Sequence, residues 1–232
     1  MSLFVFLLSH IRNSTFGTIC LIGIKNVMPM HNILAFCGLD GAGKTTQATL
    51  LYYALSRKGY KCAIGHPCKK GHLTQKLIMI GDSLNKNYEE LFGSQIIGTI
   101  LLEDIWNYCL TKLHELSVNN DFVILERCWV DFHIHSMLMK SNSILHQHII
   151  SKLPLPLACF MIDVNPSVCL SRIASRKDGF NCKREVSVNF DNIRDELIKI
   201  ELPYFHVINA NACEPEEISA KVLKKLTDVV CI

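Results

Sequence analysis

Ile33-Leu34-Ala35-Phe36-Cys37-Gly38-Leu39-Asp40-Gly41-Ala42-Gly43-Lys44-Thr45 is an apolar run that opens into a glycine-rich loop closed by lysine and threonine. From Gly38 the spacing is glycine, four residues, then Gly-Lys-Thr. Glycines let a backbone curl around an anion and turn its N–H groups inward. In this pattern Gly38, Gly41, Ala42 and Gly43 supply the main-chain cradle. Lys44 reaches the β and γ phosphates of a nucleoside triphosphate, the Thr45 hydroxyl holds Mg²⁺, and Thr46 is counted with the ATP-binding residues. The flanks agree. Residues 33–37 read as a buried strand, and a helical pattern runs from Thr45 to about Ser56. Phosphate is thereby placed on the positive end of a helix dipole.

The rest of the chain alternates in the same way. Strands are expected at 61–65, 121–127, 157–163 and 204–208. Helices are expected at 72–83, at about 88–116 with a break near Gly93 or Gly98, from Asn165-Pro166 onward, at 187–201 and at 214–229. Strands alternating with helices imply a parallel sheet covered on both faces. The expectation is an α/β fold of the P-loop NTPase kind: a five-stranded parallel sheet, helices on both faces and a small lid. One domain covers residues 30–232.

Residues 1–29 stand apart. They carry no acidic residue, an apolar stretch at 3–8 and Arg12. No run is long enough to span a bilayer, and positive charge ahead of the apolar stretch is missing for a secretory signal. A mis-set start or non-structural leader implies a cytoplasmic protein. A genuine import leader implies a mitochondrial one.

Composition narrows the classes. With 232 residues, 49% hydrophobic and a formal net charge of +3, the chain is core-forming and only mildly cationic. Stable nucleic-acid binding is not expected, and a modest positive field suits a small anionic substrate. Eleven cysteines, an odd number without a CxxC pair, read as free thiols in a reducing compartment. The pairs His133/His135 and His146/His148 share a face only in a strand, so zinc is not favoured.

Parallel sheets bind ligands at the carboxyl ends of their strands. Glu126 and Arg127 end the third expected strand. A carboxylate there suits Mg²⁺ or its water, and the adjacent guanidinium forks phosphate oxygens. The turn after the second strand holds Lys69 and Lys70, with no acid between Ala63 and Asp82. A phosphate acceptor needs cations rather than a base, because a monoester with a second pKa of about 6 is already an anion. The stretch with Arg172, Arg176, Lys177, Lys183 and Arg184 reads as a cationic lid.

These stretches together resemble the thymidylate kinase family of nucleoside monophosphate kinases. The resemblance rests on Gly38 to Gln47, on Leu125-Glu126-Arg127, on Asp163 to Pro166 followed by Leu170 to Arg176, and on Ile208-Asn209-Ala210. It implies ATP and a nucleoside monophosphate as substrates, dTMP foremost, with Mg²⁺ as cofactor. It also implies Lys44, Glu126, Arg127 and Arg176 in catalysis, and Thr45 and Glu126 at the metal. Arg172, Asn209 and Ala210 would lie near ATP. Asp40, Lys69 and Arg127 would hold the acceptor, and a homodimer is compatible. Gly41 replaces an arginine of some members, as in members that carry the catalytic cation in the lid. Leu101 and Ile105 fall where the family has an aromatic and an arginine for the base, with Phe92 or Trp106 as alternative stacking rings. A deoxynucleoside kinase and a nucleotide-binding protein with a degenerate acceptor site are the competing readings.

Overall fold

The computed structural model describes residues 31–67, 71–138, 148–175 and 190–230. Its centre is β1 (Ile33–Cys37), every residue of which is buried. An unbroken apolar run has no solvent face, so it takes a place where both faces are covered. β3 (Phe122–Leu125) and β4 (Ala158–Asp163) are buried throughout for the same reason and flank it. β2 (Cys62–Gly65) and β5 (Phe205–Asn209) complete the sheet at its edges. The order is β2-β3-β1-β4-β5, and every pairing is parallel.

The chain leaves β1 for one side of the sheet and returns to its other side at β4. The carboxyl end of β1 is thus where the connections part, and a crevice opens there. Helix α1 (Lys44–Arg57) starts directly after the loop and buries Gln47, Ala48, Leu51 and Leu55. Helices α2 (His72–Ser83) and α3 (Tyr88–Tyr108) follow β2. The break expected in the long helix lies at Gly93, whose φ of 76° is non-helical. Gly98 leaves the helix intact. A π-helical stretch, Cys109–Leu113, then leads into α4 (His114–Asn119). The sequence pattern missed this wider turn.

The pattern also missed α5 (Trp129–Leu138), which begins just past β3. His133-Ile134-His135 is helical rather than extended. No group of three or more His, Cys, Asp or Glu among the described residues can hold a metal. Helix α6 (Pro166–Ala174) has Asn165 as its N-cap, with the side chain accepting from Ser167 N at 3.0 Å. α7 (Phe190–Ile198) and α8 (Pro215–Val229) complete the set. α8 buries Ile218, Val222 and Leu226 and lies against α1 and β5. The expected strand ends were slightly long: β3 stops at Leu125, and Glu126 lies just beyond it. There its amide still donates to Gly65 O at 3.0 Å. The described cysteines are free thiols.

Candidate active site

The loop between β1 and α1 needs glycine for steric reasons. Gly38 has a φ of +128°, and a Cβ there would sit 2.8 Å from Ile162 O on β4. Gly41 has a φ of +86°, and a Cβ would approach Cys169 O to 2.6 Å. Both contacts are with backbone, which cannot step aside. Gly43, also left-handed, caps α1 without any side-chain hydrogen bond. The first-turn amides of α1 are therefore left for a ligand.

Lys44 is buried and folded back on the loop. Its Nζ donates to Gly38 O and Leu39 O, both at 2.8 Å, and lies 3.3 Å from Asp40 Oδ1. Burial, and then the nearby Arg127, push its pKa down from the ordinary lysine value. Asp40 opposes that shift. The Arg127 guanidinium forms an ion pair with Asp40 Oδ1. Thr45 Oγ1 donates to Glu126 Oε1, and the His66 imidazole abuts Oε2 of the same carboxylate. These groups come from β1, β2 and β3, and they meet because the three strands end side by side.

Beside them is a cavity of about 580 Å³, walled by residues 40–47, Glu126, Arg127, Arg172, residues 213–215 and Ile218. Arg172, on α6, donates to Gly41 O at 3.2 Å and so stands over the loop. Gln47 lines the same cavity and donates to Pro215 O at 2.9 Å, joining α1 to the start of α8.

The structure brings together most of the residues expected from sequence. Gly41, Ala42, Gly43, Lys44, Thr45, Thr46, Asp40, Glu126, Arg127 and Arg172 all wall one cavity. Gly38 lies at its base, and its amide is already engaged. Asn209 and Ala210 end β5 outside the wall. The Asn209 side chain accepts from Asn211 N at 3.0 Å, and residues 213–215 with Ile218 form the wall in their place. Lys69 and Arg176 lie outside the described residues, as does most of the expected lid. Ile105 is 1% exposed, so it belongs to the core. Asp163 is neutralised by Arg194 of α7 through two bonds, at 2.6 and 3.1 Å.

One residue of the site escaped the sequence reading. Asp131, in the first turn of α5, accepts from Gly38 N at 2.9 Å. Burial raises its carboxyl pKa from 3.8 to about 6, against the pull of Lys44 and Arg127. Nothing local in the sequence ties position 131 to position 38.

Oxygen donors on Thr45 and Glu126, converging beside an anion cradle, suit a hard divalent cation. The loop, the buried lysine and the strand-end Glu-Arg pair meet at one edge of the sheet, in an arrangement suited to binding phosphate. The family model for thymidylate kinase matches residues 36–222. The chain belongs to the thymidylate kinase family. This is a family of nucleoside monophosphate kinases, ATP-dependent enzymes that phosphorylate dTMP to dTDP. Among its relatives is a probable thymidylate kinase of Sulfurisphaera tokodaii, 20% identical over 201 residues, which cover 87% of this chain and 98% of that protein. The thymidylate kinase of Xanthomonas euvesicatoria pv. vesicatoria is 25% identical over 182 residues, 78% of this chain and 76% of that protein. One from Xanthomonas oryzae pv. oryzae matches to the same extent. No helix among the described residues is long and apolar enough to cross a membrane.

Proposed function

We propose that this thymidylate kinase family member transfers the γ-phosphoryl group of ATP to a deoxynucleoside monophosphate, with dTMP as the preferred acceptor. The observation that carries this reading is the convergence of Lys44, Arg127, Thr45 and Glu126 at one sheet edge around a cavity. An acceptor phosphate oxygen attacks the γ-phosphorus, the bond from that phosphorus to the β-bridging oxygen breaks, and ADP leaves. Such a transfer needs positioning and charge neutralisation more than covalent help. In the resting site Lys44 is held by two loop carbonyls. Triphosphate oxygens replace those carbonyls as its partners, and the free amides of α1 share the charge. Thr45 and Glu126 are the residues that would hold Mg²⁺, which neutralises phosphate charge when bound. Arg127, released from Asp40, faces the acceptor phosphate. Arg172, which stands over the loop, meets the triphosphate, and Lys69 and Arg176 are the further cations expected for the acceptor and the triphosphate. Asp40 is the residue expected to bind the acceptor sugar.

ATP consumption measured with dTMP, dUMP, dCMP and thymidine as acceptors tests the reading. Turnover with dTMP well above the others supports it. Turnover with thymidine alone would replace it with a nucleoside kinase. ATP binding without turnover on any acceptor would mark a degenerate acceptor site. dUMP, which differs from dTMP by a single methyl group, is the most informative competitor.

A further inference from the structure

Gly38 is held on both of its polar sides. Its carbonyl oxygen accepts from Lys44 Nζ at 2.8 Å, and its amide donates to Asp131 Oδ1 at 2.9 Å. We propose that Asp131 is a positioning residue of the phosphate loop, acting through the Gly38 peptide to set where Lys44 lies before ATP binds. The proposal rests on the reading of this loop as the ATP phosphate site.

The geometry leaves the Gly38 peptide little else to orient it. Its φ of +128° is one that only glycine adopts easily, and a Cβ there would collide with Ile162 O on β4. Asp131 comes from an element that is itself fixed. Its own amide donates to Cys128 O at 3.1 Å, and Cys128 and Trp129, buried at 0% and 3% exposure, anchor the start of α5. That turn follows directly on Glu126 and Arg127. The loop, the strand-end carboxylate and the acceptor-side arginine therefore share one support. Asp131 Oδ2 is buried without a hydrogen-bond partner among the described residues. A buried carboxylate with half its valence unused is not what folding alone selects, because burial of an unpaired charged oxygen is unfavourable.

The groups that face this carboxylate are Lys44 and Arg127, which favour its ionised form, and Asp40, which opposes it. From the strands come Cys37 and Cys159, with Cys128 beyond β3. These are buried thiols whose ionisation Asp131 disfavours. Asp131 is walled off from the cavity, so its action on phosphate is indirect.

Two measurements on the full chain test this. The first follows the Gly38 amide proton by NMR as pH crosses the region around 6, without nucleotide. The resonance should move with one midpoint there, and the movement should vanish in Asp131→Asn. The second is the dissociation constant for ATP, which requires no turnover and so reads independently of acceptor chemistry. Asp131→Ala should weaken ATP binding about 10-fold, the scale of one buried amide left unpaired. Asp131→Asn retains an acceptor oxygen and should restore binding to within about 3-fold. A Gly38 resonance indifferent to pH, or an Asp131→Ala variant with wild-type ATP affinity, overturns the proposal. If Asp131→Ala does not fold, the Asn variant and the amide titration decide alone. An enzyme inactive on every acceptor but with the expected titration would refute the proposed function and leave this inference standing.

Discussion

Arg127 and Asp40 form an ion pair that ties the end of β3 to the phosphate loop across 87 positions of sequence. At 39% and 23% side-chain exposure it is too solvated to stabilise the fold by more than about 1 kcal/mol. Its effect is positional. It holds a guanidinium at the cavity wall and keeps an anion beside Lys44, and on the proposed function substrates replace both contacts. Asp40→Asn should therefore leave the thermal midpoint nearly unchanged. It should lower kcat/KM for the acceptor by about 10-fold or more, the effect of a cation held out of place. The KM for ATP should shift by less. Steady-state kinetics with each substrate varied in turn checks this, and equal losses on both substrates would contradict the acceptor-side assignment of Arg127.

Lys44 is buried at a site with no apolar purpose. On the proposed function, its loss removes one preorganised charge facing the transferring phosphoryl group. Lys44→Ala should lower kcat by about 10²–10³-fold. The variant should remain folded, since burial already disfavours the lysine's charged form. ATP consumption and circular dichroism on the same sample separate the two effects. A near-normal rate would show that the loop does not take part in the chemistry.

The legibility of the site followed sequence distance. Gly38 to Thr45 is contiguous, so the loop and the start of its helix could be read from eight residues. The buried strands were legible because continuous apolar runs have one stable placement in such a sheet. Contacts made only by the fold were not legible. Asp131 meets Gly38 over 93 positions, and the residue before its helix is Cys128, which is not among the usual capping types. Asp104 on α3 caps α2 by accepting from Leu73 N, Thr74 N and Thr74 Oγ1, at 3.1, 2.9 and 2.7 Å. No pattern in residues 72–74 announces this. The cavity wall at residues 213–215 and Ile218 was likewise unmarked. It arises because α1 and α8 pack together, and Gln47 bonds across their starts.

The Asp131 carboxyl makes stability depend on pH in a definite direction. Its pKa rises from 3.8 to about 6 on folding, chiefly through burial. A group raised in this way contributes its full stability below the unfolded value and loses it as pH climbs through the folded value. The lost contribution by about pH 8 is about 3 kcal/mol. Asp131→Asn should then be more stable than the wild type in neutral buffer, by several degrees in Tm. The difference should shrink and vanish in acid. Thermal melts at a series of pH values read it directly. A wild type that gained stability between pH values around 4 and 7 because of this residue would reverse the assigned sign.

Asp163 is 9% exposed at the end of β4 and owes its neutralisation to a fork of two bonds from Arg194. The same contact raises the Arg194 pKa above the ordinary guanidinium value. Such a planar two-point match is not reproduced by an ammonium. Arg194→Lys should restore only part of the stability lost in Arg194→Ala. The alanine variant should lose about 1–3 kcal/mol, the scale of a buried carboxylate left short of its donors. Asp163→Asn made in the Arg194→Ala background removes the stranded charge and should recover some of that loss. Denaturant midpoints for the three variants give the cycle. If lysine matched arginine, the carboxylate would need only a nearby charge, and the bidentate geometry would have no energetic role.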